Sequence, residues 1–356
     1  MIDIHFPEVR SDRPLIALAS VLTTIETKPK IGIGARRLDV LRERAPQMFR
    51  AAGPQSAALW IDPHPYCDDA RLHDIESAAR VAKVPFVVFK SSDDLTPTRT
   101  TYGIVYRDSL YGSRQTTLEH AMPALCDDPT LSMQAPVRPY NIEPSIGFCG
   151  YTGTSAMLPL YRAMGKTEKA AGLILRRRAL TTLTKTRGLQ TRFITRAQFW
   201  GGAIGLQSRR VKALLRKVTG RSTADLHATR DLERERTVYF EFLNNVIGTD
   251  YTLCARGAGN FSYRFYETLA AGRVPLMIDT DCVLPFADKI DWSRHCCIVP
   301  ERELKNIGSH LLAFYAKLNA ETFAKLQSAN RTLWESYLSP NGAYVRVIDA
   351  VLAKNA

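Results

Sequence analysis

Arg264 and Glu267 stand three residues apart, a spacing that puts both side chains on one face across consecutive turns of a helix. A guanidinium so placed can grip a diphosphate through a forked pair of hydrogen bonds. A carboxylate on the next turn can accept both hydroxyls of a ribose, as the acidic residue of dinucleotide sites does. Together they would hold the two ends of a nucleoside diphosphate. The same spacing also suits a surface ion pair of little energetic value. Which of the two it is depends on where the fold puts them.

The elements that must position them are legible around the pair. Tyr251 to Cys254 is predicted as a strand, Ser262 to Ala271 as a helix and Val274 to Ile278 as a second strand. Between the first two lies a turn in which Gly257 and Gly259 let the backbone bend and approach a ligand. Ser262 is placed to cap the helix, leaving free N–H groups that attract phosphate at the strand ends. Gly272 is predicted to end the helix in the left-handed conformation before Pro275. Gly257-Ala-Gly259 also opens like a dinucleotide fingerprint, the mark of a nicotinamide-dependent dehydrogenase. Ser262 stands where the third glycine belongs, however, and the turn comes late in the chain.

The rest of the 356 residues divides around prolines 123, 129, 136, 139 and 144. Before them, an apolar run at 15–20, a helix at 35–52, a strand at 57–61, a helix at 69–83 and a strand at 85–89 are expected. The last three have the spacing of a parallel β-α-β unit. After them come a strand at 145–150 and helices near 155–183, 205–218 and 230–247. The expected fold class is therefore α/β: two facing Rossmann-like domains, 1–143 and 144–338, with a C-terminal helix, 339–356, packing back on the first.

Composition narrows the function classes. The net charge is +13, and residues 162–236 hold 19 Lys or Arg against 5 Asp or Glu. That concentration suits an anionic partner, or simply a solvated helical surface. It keeps open a non-catalytic protein that binds anionic glycan or nucleic acid. The opening Met1-Ile-Asp-Ile-His-Phe-Pro-Glu8 lacks the basic start and apolar run of a signal peptide, so a cytoplasmic location is expected. Seven cysteines without a C-x-x-C pair read as small buried residues, not as a disulfide frame or zinc site. Asn260-Phe-Ser and Asn330-Arg-Thr match the glycosylation pattern, without meaning in an unsecreted chain.

The segment Arg256-Gly-Ala-Gly-Asn-Phe-Ser-Tyr-Arg-Phe-Tyr-Glu267, with Leu-Ala-Ala-Gly-Arg-Val-Pro after it, resembles the signature block of exostosin-like proteins, glycosyltransferase family 47. Asp281-Cys-Val-Leu-Pro-Phe286 and Ile290-Asp-Trp-Ser293 continue the match, which covers about residues 250–300 and is most similar to bacterial members. Weaker similarity touches 107–111, 146–150 and 193–202.

The resemblance implies a two-domain glycosyltransferase B fold, with the donor on the C-terminal half and the acceptor on the N-terminal half. It implies inverting transfer from a nucleoside-diphosphate sugar, commonly a UDP-sugar, to a glycan or lipid-linked acceptor in cell-surface polysaccharide synthesis. Carried over, Glu267 matches the ribose-binding glutamate, and Arg264 and Ser262 lie where the motif meets the donor phosphates. Arg256 and Asn260 are adjacent candidates, with Gly257 in the same turn. No metal or other cofactor and no nucleic acid is expected. The basic face would let the protein rest on an anionic inner membrane near lipid-linked acceptors.

Inversion needs a base and a stabilised leaving group. Arg264, the helix N-terminus and one of the arginines between 176 and 196 would take the leaving charge. Arg192 and Arg196 are predicted to share one strand face. The base is expected after a strand of the N-terminal half, where Asp62 (with His64) follows one strand and Asp93 and Asp94 follow the next. Asp94 is the first choice and Asp62 the second, although acids in such places also serve as turn residues. Asp127-Asp128-Pro129 reads as a turn, and Asp279-Thr-Asp281, despite its likeness to a metal-binding D-x-D, as loop chemistry.

Overall fold

Short apolar runs ending in turn residues become the strands of two all-parallel sheets. The computed structural model describes residues 2–5, 49–51, 56–62, 69–90, 93–155, 157–197 and 232–355. The first sheet contains β1 (Ile2–His5), β2 (Phe49–Ala51), β3 (Leu59–Asp62), β4 (Phe86–Lys90), β5 (Ile104–Arg107) and β6 (Glu119–Ala121). Their order is β2-β1-β3-β4-β5-β6, and α1 (Asp69–Ala82) crosses between β3 and β4.

The second sheet opens with β7 (Ser145–Tyr151), followed by α2 (Met157–Ala163), α3 (Thr167–Thr184) and β8 (Gln190–Arg196). It continues through α4 (Leu232–Ile247), β9 (Tyr251–Cys254), α5 (Tyr263–Ala270), β10 (Val274–Asp279) and β11 (Cys297–Pro300). The order β11-β10-β9-β7-β8 puts β7 and β9 side by side near the middle. Three helices finish the chain: α6 (Ile307–Tyr315), α7 (Ala320–Leu333) and α8 (Pro340–Asn355). This is the α/β class of two Rossmann-like units expected from the sequence.

Several elements differ from expectation, each for a local reason. The predicted helix at 155–183 breaks into α2 and α3 at Gly165, whose φ of +70° no helix accepts. Residues 49–51 pair with β1 as a strand instead of ending a helix, and 35–48 lie outside the described residues. The apolar run at 15–20 and the helix expected at 205–218 lie outside them too. Strands β1, β5, β6 and β11 went unpredicted: β6 is only three residues long and carries Glu119 and His120.

Burial ties the ends of the chain together. Ala343, Tyr344, Val347, Ile348 and Val351 of α8 pack against Leu59, Ile61, Val87 and Phe89 of the first sheet. The proline-rich segment is fastened to the second domain instead: Arg138 pairs with Asp250 at 2.5 Å, and Asp250 also accepts from the Ser145 amide at 2.8 Å. Among the described residues six cysteines are unpaired, and five of them are buried. Asn260 and Asn330 are buried as well, and their amides serve backbone carbonyls, so neither is a glycosylation acceptor in this fold. No described helix is long and apolar enough to cross a membrane.

One buried pair sets the loop after β4. Arg107, 2% exposed, meets fully buried Glu119 at 2.8 Å across β5 and β6. The same guanidinium donates to the carbonyls of Asp94 and Thr96. Removing one partner of a buried pair strands the other charge, which costs about 3–5 kcal/mol. Glu119→Ala is therefore expected to lower unfolding stability by about that amount, measured as a shift of the denaturant midpoint at constant slope. A change below about 1 kcal/mol would contradict this role for the pair.

Candidate active site

The turn between β9 and α5 is the centre of the site, because both domains meet on it. Asp250 anchors the start of β9 through Ser145, and the strand carries fully buried Tyr251 and Leu253 to the crevice edge. α5 then turns back at Ser262, whose φ of −137° and ψ of 118° are those of an N-cap. The Ser262 hydroxyl makes no cap bond, and its Oγ is buried without any partner. It lines a cavity of about 20 Å³ together with Arg256, Asn260, Phe265 and Tyr266. At the far end, Gly272 holds φ +64° and donates its N–H to Leu269 at 2.9 Å, the left-handed stop expected there.

Gly259 works by closeness, not by unusual φ. Neither Gly257 nor Gly259 has a positive φ. A Cβ on Gly259 would stand 2.9 Å from Asp93 Oδ1. That contact is a hydrogen bond across the domains, in which the Gly259 N–H donates to Asp93 at 3.0 Å. Asn260 extends the seam: its N–H donates to Ser109 Oγ at 2.9 Å, and its side-chain amide to the carbonyls of Leu110 and Asp281. With Thr280 donating to Oδ1 at 2.6 Å, the Asn260 side chain is fully engaged in holding the turn. Arg256 is engaged too, by Glu168 of α3 at 2.7 Å and the Tyr111 hydroxyl at 2.9 Å. Burial raises the Glu168 pKa, but these hydrogen bonds and the Arg256 charge outweigh it and hold the carboxyl below its ordinary range.

Arg264 lies across the carboxyl end of β7. Its Nη2 and Nε donate to the Cys149 carbonyl at 2.8 and 3.2 Å, and its guanidinium sits 4.8 Å from the centre of the Phe148 ring. Gly150 is what admits it, since a Cβ there would fall 1.9 Å from Nη2. Glu267, half-buried on the next turn, is the strongest support for the Arg264 charge against burial, which pulls its pKa down.

A second guanidinium joins it from α3. The buried stripe of that helix runs through Gly172, Leu173, Ala179, Leu180 and Leu183, and Arg176 falls on the same stripe at helical spacing. Arg176 donates to the carbonyls of Tyr151 and Ala255, at the ends of β7 and β9. Its Nε is buried with no partner. Burial first, then the charge of Arg264, brings its pKa down to about 9, while Asp93 and Tyr151 oppose the fall. It forms no ion pair with a described carboxylate. In sequence it was one arginine among several; the helical period was the signal that singles it out.

Other expected residues stand elsewhere. Arg192 and Arg196 do share a strand face: Arg192 donates to the Gly248 carbonyl just after α4, while Arg196 donates to Glu241 and to Cys149 Sγ at 3.2 Å, where its charge also lowers the Arg264 pKa. Asp94 forms a 2.7 Å pair with buried Lys90 and accepts from the Thr96 amide at 2.9 Å. Burial opposes its ionisation, yet these partners bring its pKa down to about 2. Asp62 ends β3, and His64 lies outside the described residues. Asp128 caps a short turn through the Thr130 amide, and Asp281 accepts from Ser113, the turn and loop roles expected of them. Most of the basic segment between 198 and 231 is also outside the described residues.

Comparison with known proteins points the same way along the chain. A family model, the Exostosin GT47 domain, matches residues 192–314. An Exostosin-1 homolog of Caenorhabditis elegans is 32% identical over 106 residues, 30% of this chain and 26% of that protein. Exostosin-1 of Bos taurus is 33% identical over 116 residues, 32% of this chain and 15% of that protein. The chain thus matches about a quarter or less of these curated relatives. Among solved structures, a Rickettsia africae glycosyltransferase aligns over 100% of this chain and 99% of its own, with a TM-score of 0.46 and 11% identity. HepE of Anabaena in complex with UDP aligns over 99% of this chain and 100% of its own, with a TM-score of 0.39 and 10% identity.

The Asp94 pair carries a pH signature of definite sign. A carboxyl whose folded pKa is depressed stabilises the fold above its unfolded pKa and loses that contribution as pH falls through the folded value. Between pH 4 and pH 2, wild type is expected to lose about 1 kcal/mol more stability than Asp94→Asn, allowing for partial exposure of the pair. Parallel urea curves at several pH values would show it; equal pH slopes for the two proteins would contradict it.

Proposed function

Because residues 192–314 match the family model of the Exostosin GT47 domain, we propose that the protein is an inverting glycosyltransferase that uses a nucleoside-diphosphate sugar, in the first instance a UDP-sugar. The observation that carries the reading is the pair of guanidiniums, Arg264 and Arg176, brought together where β7 and β9 end. The Arg176 Nε is buried with no partner beside a second cation, which is costly, so the arrangement is best explained by an anionic ligand that completes it. A diphosphate supplies two adjacent charges and oxygens for both forks.

The turn completes the donor site. The first amides of α5 lie beside Gly259, whose N–H donates to Asp93, and free donors at a helix start favour phosphate. Ser262 offers an unpartnered hydroxyl beside them. Glu267 accepts the ribose hydroxyls, as the family resemblance implies. Arg256 and Asn260 hold the turn against the first domain instead of meeting the donor. As the sugar leaves its carrier, negative charge grows on the departing diphosphate, and fixed cations in a water-poor crevice stabilise it most at that moment. The acceptor, a hydroxyl of a glycan or lipid-linked saccharide, comes from the first domain.

The competing reading is an anionic-glycan or nucleic-acid binder that uses the basic segment. It predicts affinity that falls steeply with salt and is indifferent to Arg264 or Glu267.

A melting-temperature screen against nucleoside diphosphates and their sugars separates the two. UDP at a hundredfold excess over its Kd should stabilise wild type by about 2.7 kcal/mol. Arg264→Ala and Arg176→Ala should each weaken UDP binding at least about tenfold, the worth of one charged hydrogen bond. Glu267→Ala should weaken UDP more than inorganic pyrophosphate. No response of wild type to any nucleoside diphosphate would end the proposal.

A further inference from the structure

We propose, resting on the donor site just described, that Asp93 is the base that takes the proton from the attacking hydroxyl. The base has to stand on the first domain and reach the sugar at the point where it joins the diphosphate. An attacking oxygen sits about 3 Å from the anomeric carbon, and its proton must lie within about 3 Å of the base. Both limits put the base about 6 Å from the anomeric carbon, on the face opposite the diphosphate, within reach of a first-domain carboxylate that borders the diphosphate turn.

Asp93 abuts it. Its Oδ1 already accepts from the Gly259 N–H at 3.0 Å, and its charge supports Arg176 across the crevice. The carboxylate is exposed, as a group that meets incoming substrate must be. Its loop is fixed from below, since Arg107 holds the carbonyls of Asp94 and Thr96. A donor phosphate that accepts from Gly259 takes over that hydrogen bond and frees the exposed Asp93 carboxylate to turn to the face of the anomeric carbon opposite the diphosphate.

The other acids near the seam are otherwise engaged. Asp94 next door faces Lys90, and at a pKa of about 2 it is too weak a base. Glu168 is paired with Arg256, Asp281 with Ser113, and Asp279 accepts from the Cys282 amide. Asp108 is buried, 5% exposed. Asp62 ends β3, one strand further from β5 and the segment that meets the second domain.

The step balances. The hydroxyl proton passes to the Asp93 carboxylate as its oxygen bonds to the anomeric carbon. The bond from that carbon to the diphosphate oxygen breaks, and its electron pair leaves with UDP. Water can replace the hydroxyl, and azide can attack with no proton to lose.

The test measures UDP release from the UDP-sugar that the melting screen identifies, with and without sodium azide. Asp93→Asn should release UDP about 10²–10⁴-fold more slowly than wild type, the usual worth of a general base. It should keep its UDP-induced rise in melting temperature. Azide should restore release in Asp93→Ala and yield a glycosyl azide of inverted configuration. Asp94→Asn should stay within a few-fold of wild type. Wild-type rates in Asp93→Asn, a loss that azide leaves untouched, or loss of UDP binding in Asp93→Asn would each overturn the assignment. Failure of the donor reading itself appears earlier, as a wild type that neither binds UDP nor releases it, and that result sinks both.

Discussion

Two half-buried like charges held near each other are the constraint on which the crevice edge of the second domain depends. Arg264 reaches over the end of β7 and Arg176 rises from α3 beneath the turn, where burial and then the charge of Arg264 lower the Arg176 pKa. Neighbouring features make sense only as accommodation of that pair. Gly150 has no side chain because Arg264 lies where a Cβ would be. Gly172 lets α3 approach until a Cβ would stand 2.2 Å from the Gly257 carbonyl, which brings Arg176 up to the strand ends. Backbone carbonyls of Cys149, Tyr151 and Ala255 take the hydrogen bonds that carboxylates would take in a purely structural cluster. Such an arrangement stabilises a fold poorly and an anion well.

The turn between β9 and α5 is also where the two domains are bonded to each other. Gly259, Asn260 and Arg256 each bond to a residue of the first domain, and Tyr111 bridges to Cys282 in a short antiparallel contact. A ligand that competes for the Gly259 amide therefore acts on the domain contact as well.

Much of this was legible in the sequence because the motif is local. Strand, turn, helix, glycine stop and strand occupy residues 250–279 in order, and Gly272 showed its left-handed role through the proline that follows. The Arg264–Glu267 spacing was readable for the same reason. What the sequence hid was long-range. Asp93 and Gly259 are 166 residues apart, and nothing local distinguishes Asp93 from Asp94, whose preference for Lys90 is an i,i+4 contact made at the end of a strand. Arg176 hid in a triplet of arginines until the burial stripe of α3 separated it from the other two. Strand β6 stayed invisible because its charged residue, Glu119, is there to pair with Arg107 and not to alternate with apolar neighbours.

The central claim is that the two guanidiniums exist for one diphosphate, and a crystal structure of the protein with UDP tests it most directly. The account predicts phosphate oxygens within about 3 Å of both Arg264 and Arg176, with the ribose hydroxyls on Glu267. UDP bound elsewhere, or bound with either guanidinium still turned to its backbone carbonyls, would contradict it.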